Sequence, residues 1–164
     1  MVVLDKMNSQ KLIRLDQEDI QSILPHQPPF VHINEVFDLV PGKSAKALKY
    51  IDPEDPIFTC HFPGNPIYPG IFLIEAAAQL AFVTFCYKQD SKVTTYSRAG
   101  YLGTVKNFVF KNVVTPGMRL TIELEVIARL GNAAKVSTKI SCQEKIMANG
   151  ELYFTIDEGR QVFS

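Results

Sequence analysis

The chain has 164 residues, a length that fits one domain with a sizeable buried core. Hydrophobic residues make up 46% and charged residues 21% of the sequence, proportions typical of a soluble globular protein rather than a disordered one. Lys plus Arg and Asp plus Glu both number 17, so no overall field would attract nucleic acid or an anionic membrane. We therefore expect a single domain over residues 1–164 with neither nucleic acid nor membrane as a partner.

The cysteines and the N-terminal residues bear on location. Cys60, Cys86 and Cys142 form an odd set without CxxC spacing, which argues against a disulfide framework and against a zinc site. The first residues, "MVVLDKMNSQKLIRLDQ", lack the apolar run and cleavage site of a signal peptide. These features favour a reducing, cytoplasmic location.

The first third of the chain is predicted to hold a short helix and a hairpin. "DQEDIQSIL" predicts a helix that Asp16 caps, with Asp19 three residues later and Pro25 ending it. "FVHINEVFDLV" and "KSAKALKYI" predict two paired strands around the turn residues Pro41 and Gly42. The next segment, "DPEDPIFTCHFPGNPIYPG", holds five of the ten prolines and is predicted to be an ordered loop.

One long helix is predicted from Gly70 to Tyr87. Its apolar residues cover nearly the whole circumference, which indicates burial on most sides. The alternative is a membrane span, but Glu75, Gln79 and Thr84 would then lie in hydrocarbon. We therefore favour a helix in the core of a globular fold.

The remainder of the chain is predicted to be β structure. Strand patterns cover "YSRAGYLGTVKNFVFKNVV", "MRLTIELEVIARL", "AAKVSTKISCQEK" and "ELYFTID", with tight turns predicted at Gly131-Asn132 and Asn149-Gly150. The expected fold class is α+β, with one long buried helix against an antiparallel sheet of five or six strands.

A histidine, a glycine and a carboxylate around the start of this helix are candidates for a catalytic site. His61 precedes a Pro/Gly-rich loop and can accept a proton near neutral pH. Glu75 lies in an apolar helix, where a carboxyl group favours its protonated form and can act as an acid. Gly70 offers a helix N-terminal N–H to a substrate oxygen. The pattern alone leaves open that His61 is an ordinary loop histidine and that Glu75 pairs with a basic group or faces solvent.

The segment "HFPGNPIYPGIFLIEAAAQ" resembles the signature of the FabZ-type β-hydroxyacyl-(acyl carrier protein) dehydratases, approximately G-H-F-P-x-x-P-x-x-P-G-V-x-x-x-E-x-x-A-Q. "ILPHQPPFVHINEV" and "YLGTVKNFVFKNVVTPG" resemble further segments of that family, so the similarity runs from about Leu24 to the last strand. Cys60 replaces the glycine that usually precedes the histidine, and it could crowd the backbone or place a thiol beside the site. The matching positions are His61, Phe62, Pro63, Pro66, Pro69, Gly70, Glu75, Ala78 and Gln79.

The resemblance implies a hotdog fold and a specific division of roles. His61 would remove the α-proton, and Glu75 would protonate or position the departing β-hydroxyl. The two side chains would come from opposite subunits of a dimer, and the N–H of Gly70 would polarise the thioester carbonyl. The product would be a trans-2-enoyl thioester. The partners implied are an acyl carrier protein, whose phosphopantetheine holds the substrate, and a second copy of the chain in a homodimer or a trimer of dimers. No metal and no other cofactor are expected.

Further residues receive supporting roles. Gln79, one turn after Glu75, is expected to orient its carboxylate. Ile71, Phe72 and Tyr101 are expected to line the acyl tunnel, although Tyr101 could instead be a strand aromatic that packs on the core. Two other histidines, at positions 26 and 32, are interpreted as non-catalytic, the first satisfying local backbone groups.

Two other functions fit the same fold. A hotdog thioesterase would hydrolyse the thioester, but such enzymes usually lack this pairing of a histidine loop with a mid-helix glutamate. A non-catalytic acyl-binding subunit is the second alternative. The presence of His61, Glu75 and Gly70 argues against loss of activity, whereas the change at Cys60 leaves this alternative open.

Overall fold

The structure is a computed structural model that describes residues 12–88 and 99–157. The described segments contain two α-helices and seven strands. The helices are α1 (Gln17–Ile23) and α2 (Gly70–Cys86). The strands are β1 (Ile13–Leu15), β2 (Glu35–Val40), β3 (Ser44–Tyr50), β4 (Ala99–Phe110), β5 (Arg119–Leu130), β6 (Ala133–Cys142) and β7 (Lys145–Asp157).

Helix α1 begins at the predicted cap. The Asp16 carboxylate accepts a hydrogen bond from the N–H of Asp19 at 3.0 Å, and the Asp19 carboxylate accepts one from the N–H of Asp16 at 3.2 Å. This reciprocal pair satisfies two backbone donors that the first turn of a helix leaves without partners. The helix ends at Ile23, shortly before Pro25, and the prediction is confirmed.

The strands form one antiparallel sheet in the order β1-β2-β3-β5-β6-β7-β4. Alternate residues of its central strands are buried, as in Leu120, Ile122 and Leu124 of β5. These side chains pack on α2, ten of whose residues are buried. The predicted buried helix and the hotdog fold are thereby confirmed, but the sheet has seven strands rather than five or six. The extra strand is β1, which at three residues is too short to show a period-2 pattern.

The predicted turn at Asn149-Gly150 is wrong, because both residues lie inside β7. The turn between β6 and β7 is at Gln143 and Glu144, and Gln143 adopts a φ of 55°. Strand β4 bulges opposite Gly150, where a Cβ atom would lie 2.6 Å from Cα of Phe108. The glycine therefore permits a close approach of two strands rather than a turn.

Other boundaries differ modestly from the prediction. The turns around Pro41-Gly42 and Gly131-Asn132 are confirmed, whereas β2 begins only at Glu35, five residues later than predicted. The Pro-rich loop contains a short 3-10 turn, Pro56–Thr59. The predicted start of β4, residues 96–98, and the N-terminal residues 1–11 lie outside the described residues.

Strand β4 is the long edge of the sheet. Apart from its pairing with β7, it has no strand neighbour in the described part of the chain. Ten of its twelve residues are exposed, among them Tyr101, Leu102, Val105 and Val109. An apolar edge strand of this length is a surface on which another chain can pair. Over the same ranges, 12–88 and 99–157, no helix has both the length and the apolar character required to cross a membrane.

Candidate active site

A cavity of about 380 Å³ lies where the Pro-rich loop meets the start of α2 and the segment that follows β4. It brings together two of the predicted site residues, His61 and Gly70, with the predicted tunnel residue Ile71. Its walls are largely apolar and admit an acyl group. The lining residues are His61, Ile67, Tyr68, Gly70, Ile71, Leu73, Phe110, Lys111, Asn112, Val113 and Val114.

His61 is held with one defined nitrogen available for chemistry. Its Nδ1 lies 2.9 Å from the carbonyl oxygen of Ile67. A carbonyl oxygen only accepts hydrogen bonds, so Nδ1 carries the proton and donates it. In the neutral ring Nε2 therefore has the free lone pair, as a general base requires. The ring also stacks on Phe62, with centroids 4.2 Å apart, and lies half-buried beside the cavity.

Gly70 is the first residue of α2, and its backbone faces the cavity. The preceding cap residue is Pro69, and within the described residues no side chain caps this end of the helix. The first N–H groups of a helix have no acceptor within the helix, so they are available to an oxygen of a ligand. A Cβ atom at position 70 would lie 2.8 Å from the ring of Phe110, which also lines the cavity.

Glu75 lies one turn after Ile71 on the same face of α2, but it is not among the residues that line the cavity. Its Oε1 accepts a hydrogen bond from the side-chain amide of Gln79 at 2.9 Å. The same oxygen lies 3.6 Å from Nε2 of His26. The side chain is 24% exposed in the single chain, so one protomer alone does not exclude water from this carboxyl group.

Gln79 makes the predicted contact with Glu75 and two further ones. Its side-chain oxygen accepts the backbone N–H of His32 at 2.8 Å, and its amide nitrogen donates to the carbonyl of Phe30 at 2.8 Å. The residue is 1% exposed. The sequence did not indicate the two backbone contacts, because they join residues almost fifty positions apart.

The two other histidines occupy different environments. His26 does not hydrogen-bond local backbone as expected, because its Nε2 faces Glu75 and its buried Nδ1 has no hydrogen-bond partner in the described residues. His32 is buried, and its Nδ1 lies 3.2 Å from the hydroxyl of Tyr68. Burial, followed by the positive charge of Lys49, lowers the pKa of His32 to about 4.

Tyr68 lines the cavity, and Lys49 lies against its ring. The ammonium of Lys49 lies 5.0 Å from the ring centroid of Tyr68, a cation–π arrangement. Burial lowers the pKa of Lys49 to about 8, against an opposing effect of Asp55. Burial also raises the pKa of the Tyr68 phenol. Sequence patterns do not indicate this cluster, because its members are far apart along the chain.

The predicted tunnel residues are only partly brought together. Ile71 lines the cavity, whereas Phe72 stacks on the ring of His32 at a centroid distance of 5.0 Å. Tyr101 lies on the edge strand β4 and is not among the cavity residues of the single chain. The tunnel roles of Phe72 and Tyr101 therefore stay predictions.

Cys60 does not crowd the backbone. Its φ of −123° is one that non-glycine residues adopt readily, and its thiol donates a hydrogen bond to the carbonyl of Ile57 at 3.2 Å. The side chain is exposed. A cysteine therefore fits this backbone conformation without strain.

Comparisons with known proteins identify the family of this chain. Residues 24–155 match the FabA-like domain family. The chain is 37% identical over 147 residues to the 3-hydroxyacyl-[acyl-carrier-protein] dehydratase FabZ of Syntrophomonas wolfei, covering 89% of this chain and 99% of the relative. It is 38% identical over 140 residues to the FabZ of Campylobacter fetus, covering 84% and 95% of the two chains.

Solved structures support the fold. The dehydratase heterocomplex ApeI:P from Xenorhabdus doucetiae aligns with a TM-score of 0.69 at 19% identity, over 87% of this chain and 91% of that one. The protein Cj0977 of Campylobacter jejuni aligns with a TM-score of 0.63 at 13% identity, over 88% and 99% of the two chains. The family model and the sequence relatives show that this chain belongs to the FabA-like family and, within it, to the FabZ-type dehydratases.

Proposed function

We propose that this chain dehydrates 3-hydroxyacyl thioesters carried on an acyl carrier protein to trans-2-enoyl thioesters. The observation that carries the proposal is the cavity that both His61, whose Nδ1 is engaged by the carbonyl of Ile67, and the open N-terminus of α2 at Gly70 line. The relatives named for this reaction match the chain over most of its length. A cytoplasmic location is part of the proposal, because the odd cysteine set fits a reducing compartment.

The proposed reaction is a β-elimination. Nε2 of His61 takes the proton from the α-carbon, and the electron pair of that C–H bond becomes the second bond between the α- and β-carbons. The bond from the β-carbon to the hydroxyl breaks, and the oxygen leaves as water with a proton from Glu75. The N–H of Gly70 stabilises the negative charge that develops on the thioester oxygen. Transfer of a proton from His61 back to Glu75 through solvent restores the starting state.

The proposal includes no metal and no redox cofactor beyond the phosphopantetheine that carries the substrate. Elimination of water changes no overall oxidation state, and it needs only a base, an acid and a donor to the carbonyl. Activity is therefore expected to survive exhaustive treatment with a chelator. The acyl chain is proposed to follow the cavity past Ile71, with Phe72 and Tyr101 contributing further along the tunnel.

The proposal also includes a homodimer, with a trimer of dimers as the larger assembly. In one chain Glu75 does not line the cavity that contains His61. We infer that each site pairs His61 of one protomer with Glu75 of the other. The exposed edge of β4 supports this inference, since two such edges can pair and continue the sheet.

The first experiment measures water loss. The purified chain is incubated with 3-hydroxyacyl-acyl carrier protein, and mass spectrometry follows the loss of one water from the carrier. His61→Ala and Glu75→Gln should each lower kcat by roughly 10² to 10⁴-fold while keeping the fold. Release of a free carrier thiol would instead indicate hydrolysis, and undiminished water loss in both variants would refute the assigned base and acid.

The second experiment tests the site across two subunits. His61→Ala and Glu75→Gln are co-expressed in equal amounts, so that about half of the dimers are mixed. If the residues come from opposite subunits, each mixed dimer has one intact site, and activity should recover to roughly a quarter of the wild-type value. If both residues act within one chain, no mixed dimer has an intact site and activity should stay at the level of the single variants.

A further inference from the structure

The carboxylate of Glu75 is held through one oxygen. Oε1 accepts the amide hydrogen bond of Gln79 at 2.9 Å and faces Nε2 of His26 at 3.6 Å. The contacts of the described residues thus converge on Oε1. The other oxygen, Oε2, has no hydrogen bond or ion pair to the described residues and can meet a departing hydroxyl.

The surroundings of His26 fix which of its nitrogens carries the proton. Nδ1 is buried and has no hydrogen-bond partner among residues 12–88 and 99–157. Nε2 faces a carboxylate oxygen, which accepts hydrogen bonds. In the neutral ring the proton therefore lies on Nε2 and points at Glu75. A separation of 3.6 Å is longer than a hydrogen bond, but such contacts are often long without substrate and shorten when it binds.

The segment that carries His26 is anchored on both sides. Leu24, two residues before it, is fully buried. Four residues after it, the carbonyl of Phe30 accepts a hydrogen bond from Gln79, the same amide that binds Glu75. The ring of Phe30 lies 5.7 Å from that of His26. The side-chain amide of Gln79 thus holds both the segment that carries His26 and the carboxylate of Glu75 that His26 faces.

We propose that His26 is a positioning residue for Glu75, donating from Nε2 to Oε1 so that Oε2 is directed at the leaving hydroxyl. This inference rests on the proposed function, because it assigns Glu75 the role of the acid. Gln79 and His26 hold Oε1 of Glu75 from two sides, and these two contacts leave the carboxyl group a single orientation. Neither residue touches the reacting atoms.

The test compares two replacements at the same position. His26→Leu removes the donor, whereas His26→Gln keeps an N–H donor at nearly the reach of Nε2. We expect kcat to fall roughly tenfold to a hundredfold in His26→Leu with KM nearly unchanged, and to be largely restored in His26→Gln. Gln27→Leu, an exposed polar-to-apolar change on the same segment, should leave kcat unchanged. Melting temperatures establish that all variants fold.

A double variant separates positioning from a general loss of structure. If His26 acts through Glu75, His26→Leu should lower kcat no further when Glu75→Gln is already present. Wild-type kcat in His26→Leu would overturn the role of His26 and leave the proposed function standing. Equal losses in His26→Leu and His26→Gln, or additive losses with Glu75→Gln, would overturn it as well. Absence of water loss in the wild-type chain would refute the proposed function, and the inference with it.

Discussion

At the scale of single side chains, burial determines the charge of His32. Its pKa falls from 6.5 to about 4, mainly because the folded chain shields the ring from water. Between these two pH values the unfolded chain binds a proton that the folded chain does not. The free energy of unfolding must therefore decrease as the pH falls from 6.5 towards 4.

We predict that His32→Leu removes this part of the acid destabilisation. The contribution of His32 is at most about 3 kcal/mol across the interval, since one unit of pKa corresponds to about 1.4 kcal/mol. Denaturant unfolding at pH 7.5, 6 and 4.5 gives the free energy of unfolding at each pH. The difference between variant and wild type in how this free energy depends on pH measures the contribution of His32.

Tyr68→Phe is the matched control for this prediction. It removes the hydroxyl that hydrogen-bonds the ring but leaves His32 buried, so it should keep the wild-type dependence on pH. A His32→Leu variant that loses stability with acid as steeply as the wild type would contradict the prediction.

The histidines also show what sequence patterns can and cannot predict about a site. The motif around His61 and Glu75 matches a family signature at most of its defined positions, so the sequence alone identifies both as candidates. The position of His26 beside Glu75 could not be predicted, because the contact joins a turn and a helix almost fifty residues apart. Local pattern reports the neighbours of a residue along the chain, and the site is assembled from neighbours in space.

At the scale of elements, the pairing of β4 with β7 depends on a glycine. A Cβ atom at Gly150 would lie 2.5 Å from the ring and 2.6 Å from Cα of Phe108. Because Cα of Phe108 belongs to the backbone, a side-chain rotation cannot move it away. The bulge in β4 therefore requires a residue without a side chain, Gly150, at the facing position of β7.

We predict that Gly150→Ala destabilises the fold by about 1–3 kcal/mol, the range of overpacking in a filled interior. Gly103→Ala is the control within the same strand pair, because a Cβ atom there would meet only the Tyr153 carbonyl oxygen at an ordinary 3.6 Å. It should change stability by less than about 0.5 kcal/mol. Denaturant midpoints of the two variants measure the contrast, and equal midpoints would rule out this account of Gly150.

The elements themselves were largely predictable. Helix α1 follows from its capping residues, and α2 from an apolar run that only a buried helix can satisfy. The exception at Asn149-Gly150 arose because this dipeptide is typical of hairpin turns, whereas here the glycine serves a bulge on the neighbouring strand. A local propensity was overridden by the packing of a strand distant in sequence.

At the scale of the whole molecule, the sheet has one long unpaired edge. Val105 and Val109 on β4 are 41% and 50% exposed, more than apolar residues in a finished sheet usually are. The proposed site combines residues of two chains. A variant that cannot dimerise is therefore expected to lose catalysis as well.

We predict that Val105→Lys weakens the dimer by at least about tenfold in Kd, or about 1.4 kcal/mol, because an unpaired charge would be buried between two edges. Water loss should fall in proportion to the dimer that remains, while circular dichroism stays that of the wild type. Leu130→Lys, at a residue 85% exposed beside the β5–β6 turn, should leave assembly unchanged. Sedimentation of both variants over a range of concentrations provides the measurement, and an undiminished dimer in Val105→Lys would remove β4 from the interface.

The amide of Gln79 restricts what evolution can place at that position. Its oxygen accepts from a backbone N–H, and its nitrogen donates to a backbone carbonyl and to the carboxylate of Glu75. Only a side chain that has an acceptor and a donor at these two places satisfies all three groups. An apolar replacement would strand three polar groups, each at about 1–3 kcal/mol, and a carboxylate would repel Glu75. Position 79 is therefore expected to tolerate few substitutions, although the proposed reaction assigns Gln79 no contact with substrate.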